Sequence, residues 1–127
     1  MMGASGAVGG EVVRTLLDTS LLGKLTLLGR RELPWINDPR VRQHVVDVCD
    51  PESYHQLATE HDSAVCTLGV GQPSAMTKSE FLRIDQQAVI QFATVAKQVG
   101  VRHFQLLGSI GASTSSPSFY LRAKGEL

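Results

Sequence analysis

Three groups of residues in this chain have types and spacings that could do chemistry. The first is a glycine loop, Gly3-x-x-Gly6-x-x-Gly9, at the start of an apolar-periodic segment. Glycine lets the backbone turn sharply and come close to a ligand. A helix that opens on such a loop turns its free N–H groups toward an anion. The loop lies roughly 20 residues before the end of the next strand, as in a dinucleotide fingerprint, although its spacing departs from GxGxxG. The alternative is a plain glycine-rich turn. The second group is Arg30 and Arg31, which follow Leu27-Leu28-Gly29. An acidic residue at this place accepts hydrogen bonds from the ribose hydroxyls of NAD, whereas a cation suits the 2′-phosphate of NADP. Arginine is the better phosphate partner because its fork binds two oxygens. Two solvated arginines after a strand would read the same way, and Glu32 weighs toward the opposite cofactor. The coincidence with the glycine loop favours NADP. The third group is Ser109 with Tyr120-x-x-x-Lys124. Tyr and Lys four apart share one face of a helix. A lysine ammonium near a phenol favours the phenolate, so the tyrosine could exchange a proton with a substrate oxygen. A serine at the end of a neighbouring strand could hold that oxygen. A Tyr-x-x-x-Lys pair alone also occurs on surface helices by chance. Its place after the last strand of a parallel sheet raises its weight, because ligands of such sheets bind at the carboxyl ends of strands.

The elements that must position these groups can be read from periodicity. Val8, Val12, Leu16 and Leu17 recur at helical spacing, so the glycine loop opens a helix running to about Ser20. Residues 24–29 form a short apolar strand. Residues 30–40 hold two prolines and read as loop. Val41 to Val48 reads as a strand. Asp50-Pro51 predicts a helix start, with Asp as N-cap and Pro at the first position, ending near His61. Ala64 to Leu68 is a buried strand that ends at Gly69-Val-Gly71. A long helix follows, with Thr77 and Glu80 as a capping box and a stripe of Phe81, Ile84, Ala88, Phe92, Val95 and Val99. Gly100 stops it. Arg102 to Leu107 is the last strand. A Ser/Thr-rich loop and a final helical turn carry Tyr120 and Lys124. This alternation implies an α/β fold: a Rossmann-type doubly wound parallel sheet with helices on both faces.

Composition narrows the function classes. The chain has 127 residues, the length of one domain, 1–127. Apolar residues make up 43% and charged residues 19%, which excludes a disordered or fibrous chain. Twelve basic residues balance twelve acidic ones, so nothing points to nucleic acid or a membrane surface as partner. Apolar runs are far too short to span a bilayer, and no signal-peptide pattern opens the chain. Cys49 and Cys66 lack CxxC spacing and read as reduced thiols of a cytoplasmic protein. The histidines at 44, 55, 61 and 103 lack metal-ligand spacing, so no metal is expected. Trp35, between Pro34 and Ile36, reads as packing a loop down.

With these motifs in order, the chain resembles an atypical short-chain dehydrogenase/reductase, and is most similar to the Tat-interactive-protein branch, whose members bind NADPH. The stretches that carry the resemblance are GASGAVGG, LLGRREL, VVDVCDPESY, VCTLG and FQLLGSIGASTSSPSFYLRAKGE, which together cover nearly the whole chain. The resemblance implies that Gly3, Ser5, Gly6, Ala7, Val8 and Gly9 hold the pyrophosphate and that Arg30 and Arg31 meet the 2′-phosphate. It places Asp47 and Val48 beside the adenine, and Leu68 and Gly69 along the cofactor. Lys124 would also reach the nicotinamide ribose. Two departures follow. The family often has two serines where this chain has Gly108-Ser109. A strand should precede Gly3, and the family domain continues past the Tyr–Lys helix. The expectation is therefore a partial view of a longer single domain, with the glycine loop left without its strand and the adjoining strand edges unpaired.

Three functions fit this reading. One is an NADPH-dependent oxidoreductase passing hydride to the carbonyl of a small molecule, with Ser109, Tyr120 and Lys124 as the reacting set. Another is a non-catalytic NADPH-binding regulatory protein, working through a protein partner or a homodimer. An epimerase-like enzyme of sugar nucleotides uses the same three residues but needs a substrate domain.

Overall fold

Apolar strands alternate with amphipathic helices, and the structure arranges them as a parallel sheet between helices. The structure, a computed structural model, describes residues 1–70 and 75–127. Gly71, placed above at a strand end, lies outside the described residues. The elements are α1 (Ala7–Leu17), β1 (Leu25–Gly29), β2 (Val41–Val45), β3 (Ser63–Cys66), α2 (Lys78–Leu82), α3 (Ala88–Gln98), β4 (His103–Leu106) and α4 (Phe119–Gly125). β1 pairs in parallel with β2, Leu25 opposite Val41. β3 pairs in parallel with β4, Ser63 opposite His103.

Met2 joins the two strand pairs. It forms parallel bridges to Leu28 and to Cys66, giving the order β2–β1–Met2–β3–β4. Met2 N–H donates to Val65 O, and Thr67 N–H donates to Met2 O, both at 2.9 Å. Leu28 N–H donates to Met1 O at 2.9 Å, and the Met1 amino group donates to Thr26 O at 2.6 Å. This corrects the expectation of an unsupported glycine loop. Met1 and Met2 connect the inner strands and hold the loop that follows. Met2 is fully buried there.

Strand side chains alternate between the two faces. Leu25 and Leu27 pack with Val13 of α1 and with Val41 and Leu33. Leu28, Ala64 and Cys66 pack on the other face with Val89, Phe92, Val95 and Ala96 of α3. Helices therefore cover both faces, as the alternation predicts.

Two local expectations change. The helix predicted from Asp50 to His61 is two short 3-10 turns, Pro51–Ser53 and Gln56–Ala58. Asp50 does cap the first, accepting from Glu52 N–H. However, Ser53 Oγ has Asp47 O and Asp50 O within reach of its one proton, at 2.9 and 2.7 Å, which offers the backbone an alternative to helix. The long helix forms behind the expected Thr77–Glu80 capping box, but it contains a π-helical turn, Arg83–Gln87. Within that turn Asp85, four residues after Phe81, takes the inward position, and Ile84 is only half-buried.

Candidate functional site

The glycine loop bends between Met2 and α1 at the carboxyl end of the sheet. Gly3 has φ +95°, which side-chain-bearing residues rarely adopt. A Cβ there would lie 2.4 Å from the Thr67 carbonyl carbon, so the loop touches the backbone after β3. At Gly9 a Cβ would lie 2.1 Å from Gly3 O and 2.7 Å from Thr67 Oγ1. These two glycines thus let the helix, the loop and β3 pack against one another. Gly6 differs: a Cβ would meet only Gly3 O, at 3.5 Å. It is the N-cap of α1 in extended conformation, with no side-chain cap. The first N–H groups of α1 therefore lack a capping side chain, and the loop beside them is open to an approaching anion.

A cavity of about 250 Å³ opens beside this loop. It brings together Gly3, Ser5, Gly6, Arg30, Arg31, Val48, Leu68 and Gly69, all read from the sequence. Arg30 and Arg31 are exposed, and among the described residues neither forms a salt bridge, in contrast to Arg14, Arg40 and Arg102. Glu32 pairs with neither of them. Their approach is set by Gln43, which sequence reasoning missed. Its Oε1 accepts from Leu33 N–H at 2.8 Å, and its Nε2 donates to Leu33 O at 3.2 Å. The amide of a β2 residue thus clamps the arginine loop to the sheet.

Other residues of the reading lie apart from this cavity. Gly9 is buried in the loop packing. Ala7 lines a neighbouring cavity of about 590 Å³ with Arg14, Arg31 and Trp35. Val8 is half-exposed on α1. Asp47 is exposed and accepts from Cys49 N–H at 2.9 Å. Trp35 is 44% exposed, outside both core clusters, with the Arg14 guanidinium 4.7 Å from its ring centre.

The third group stands at the carboxyl end of β4. The chain leaves β4, turns at Ser109–Ala112, and enters α4 behind the Ser118 cap. Gly125 fits against Ser113, where a Cβ would be 2.3 Å from its carbonyl carbon. Ser113 N–H donates to Leu121 O at 3.1 Å, which ties the turn to the helix. Buried Phe81 of α2 takes the rings of Phe119 and Tyr120, at 5.6 and 5.7 Å between centres. Tyr120 and Lys124 are thus held on one helix, α4. Among the described residues no hydrogen bond joins Ser109 Oγ, Tyr120 Oη and Lys124 Nζ. Instead Lys124 Nζ lies 2.6 Å from Asp85 Oδ1, and both side chains are buried. The other oxygen of Asp85 accepts from Val70 N–H at 2.8 Å. The sequence signal for Asp85 was a carboxylate on the apolar stripe, four residues after Phe81. Cys66 sits on β3 in the same core, and burial pushes its thiol up, so it stays protonated.

The residues fit a dinucleotide: an uncapped helix N-terminus, a glycine with open space before it, and two unpaired arginines at one cavity. Comparison with known proteins agrees. Residues 3–126 match the NAD(P)H-binding family, and the chain belongs to that family. It is 37% identical to Protein HTATIP2 of Rattus norvegicus over 129 residues, which is all of this chain and 53% of that protein. It is 27% identical to Protein FMP52, mitochondrial, of Candida albicans, covering 57% of that protein. The chain thus spans about half the length of the curated relatives it matches. Solved structures share the fold. Uronate dehydrogenase from Agrobacterium tumefaciens, in a variant complexed with NAD, superposes with a TM-score of 0.76 at 16% identity, over 97% of this chain and 50% of that one. The oxidoreductase ylbE from Lactococcus lactis gives 0.77 at 20%, over 98% of this chain and 60% of that one. The fold is that of NAD(P)-binding oxidoreductases, with parallel strands and helices on both faces.

Proposed function

We propose that this chain carries the cofactor-binding half of an NADPH-dependent oxidoreductase of the atypical short-chain type, acting on the carbonyl of a small molecule. The observation that carries the reading is the cavity where the glycine loop, the unpaired Arg30 and Arg31 and the end of β3 meet. The glycine loop and the α1 N-terminus would hold the pyrophosphate through backbone N–H groups. Arg30 and Arg31 would hold the 2′-phosphate, and Val48, Leu68 and Gly69 would line the cofactor's path. NADPH, when bound, supplies the hydride. The chain's own residues manage the proton. Tyr120 donates it to the carbonyl oxygen as negative charge develops there, Ser109 orients that oxygen, and Lys124 favours the phenolate left behind.

A second reading rests on Asp85. Because Lys124 is already paired with a buried carboxylate, a protein that binds NADPH without turning it over, and acts on a protein partner or as a homodimer, also fits. Nucleic acid and membrane are not proposed as partners. No helix among the described residues is long and apolar enough to cross a membrane. The reduced thiols Cys49 and Cys66 support a cytoplasmic location, and the relatives named mitochondrial make that compartment the one to compare by fractionation.

The test is a carbonyl panel scored by NADPH oxidation, with parent and Tyr120→Phe compared. The variant keeps the ring on Phe81 and removes the donor. Turnover should fall by about 10²–10⁴, with NADPH affinity nearly unchanged. Equal turnover by both proteins would remove Tyr120 as the donor, and no NADPH oxidation by either across the panel would hand the assignment to the non-catalytic reading.

A further inference from the structure

The geometry points to Arg14 of α1 as a specificity-determining residue for the cofactor's 2′-phosphate, presented by the ring of Trp35, a role that rests on the assignment of Arg30 and Arg31 to that phosphate. Ser5, Gly6 and Arg31 line both the cofactor cavity and the neighbouring cavity of about 590 Å³. A phosphate held by Arg31 therefore faces the second cavity as well as the first. Arg14 is the other cation of that second lining.

Three contacts hold the Arg14 guanidinium near the glycine loop. Side chains of a helix lean toward its N-terminus. A Cβ on Gly10 would lie 3.7 Å from Arg14 Nη1, so the side chain runs back along α1 toward the turn that the loop opens. The ring centre of Trp35 stands 4.7 Å from its Cζ, a cation–π contact. Trp35 is carried there by a short turn, in which Ile36 N–H donates to Leu33 O at 3.1 Å, and Leu33 is the residue that Gln43 clamps to β2. The third contact is Glu11, whose carboxylate pairs with Arg14 Nη1.

That pair is open to exchange. Its arginine and glutamate side chains are 55% and 72% exposed, and an exposed ion pair contributes little in water. Glu11 and Glu32 balance Arg14 and Arg31 around the cavity, so an incoming phosphate needs one carboxylate to give way. Glu11 can turn into solvent, while Arg14 stays on the indole face and offers its fork to the phosphate oxygens. Because the Arg14 charge is already met by Glu11, it adds to the hold of Arg31 and does not replace it.

Trp35 is the one tryptophan of the chain, so its emission reports on this cavity alone. Adenosine 2′,5′-bisphosphate, at a concentration that displaces NADPH, should shift that emission. Adenosine 5′-monophosphate, at a concentration that displaces NADH, should leave it in place. Titrations of the folded full chain with the two cofactors, read by nicotinamide fluorescence, give the second measurement. Arg14→Gln should narrow the NADPH-to-NADH affinity ratio about fivefold, the scale of one exposed ion pair, at parental stability in urea. Trp35→Leu keeps the charge and removes the ring, and should narrow the ratio about threefold. A side chain that only braces α1 would change both affinities alike. A parental ratio in either variant, or an emission on which the two nucleotides act alike, overturns the proposal. A parent that binds NADPH and NADH equally removes the assignment of Arg30 and Arg31 as well, so the parent's own ratio tells the two failures apart.

Discussion

The glycines of the loop separate packing from ligand binding, because the structure assigns them different surroundings. Consider Gly9→Ala and Gly6→Ala. At Gly9 the added methyl would sit 2.1 Å from Gly3 O and 2.9 Å from the Gly3 carbonyl carbon, with Thr67 Oγ1 at 2.7 Å. Two of these three neighbours are backbone atoms held by the Met2 pairings, so they cannot swing away. Overpacking of this kind costs about 1–3 kcal/mol, and more where backbone must move. At Gly6 the methyl would meet one oxygen at 3.5 Å, ordinary contact, and φ is −80°. Alanine is a poorer N-cap than glycine, by about 0.5–1 kcal/mol. Lower chain entropy in the unfolded state returns about 0.4–1 kcal/mol. The net change in stability is therefore near zero. The methyl does stand where a pyrophosphate would approach the α1 N–H groups. Losing one charge-assisted bond of about 1.5–3 kcal/mol weakens NADPH roughly ten- to a hundredfold. Urea unfolding and nicotinamide fluorescence on the same samples check both halves. A stable Gly6→Ala that binds NADPH like the parent would refute the reasoning, because it would place the cofactor away from this loop.

Three further outcomes follow from single contacts. Gln43→Leu breaks both bonds to the Leu33 backbone, so urea unfolding should show a loss of about 1–3 kcal/mol, and NADPH affinity should fall more than NADH affinity as the arginine loop loosens. Tyr54→Phe keeps the edge-on contact with Phe92 and removes a buried hydroxyl that has no hydrogen-bond partner among the described residues, so thermal melting should show unchanged or higher stability. Burial, with the Lys24 charge next, holds the His61 imidazole below its ordinary range. The unfolded chain then takes up that proton first, so the stability His61 contributes is present above its ordinary value, about 6.5, and is lost progressively as pH falls from there through the lower folded value. Urea midpoints at about pH 8 and about pH 5.5 should show a smaller decline for His61→Gln than for the parent.

Features set by local sequence were legible before the structure. The Thr77–Glu80 capping box and the alternation of strand and helix depend on neighbours in the chain, and both formed as read. Gly3, Gly6, Arg30 and Arg31 were legible as a group because a loop and a strand end at the same sheet edge must converge. What escaped the sequence depends on partners far along the chain. Thr67 gives Gly3 and Gly9 their constraint from more than fifty residues away. Gln43 looks like any polar strand residue until the Leu33 backbone is placed beside it. Ser53 offered no sign that its hydroxyl would reach two carbonyls and split a helix. Asp85 shares the inward face with Phe81, four residues before it, but nothing near it in the chain shows that the buried lysine of another helix meets it there. The pairing of Met1–Met2 with both inner strands was missed for a related reason. The pattern of a strand is read over several residues, but two backbone units can bridge a gap.

On the proposed function, the cavity beside the glycine loop binds NADPH through Arg30 and Arg31. Titration of the full chain with NADPH and with NADH at one salt concentration, read by nicotinamide fluorescence, tests it most directly. NADPH should bind tighter by roughly ten- to a hundredfold, the worth of one charge-assisted contact. Replacing both arginines with alanine should abolish the difference by weakening NADPH alone. Equal affinity of the parent for the two cofactors, or a preference that survives the double substitution, would contradict it.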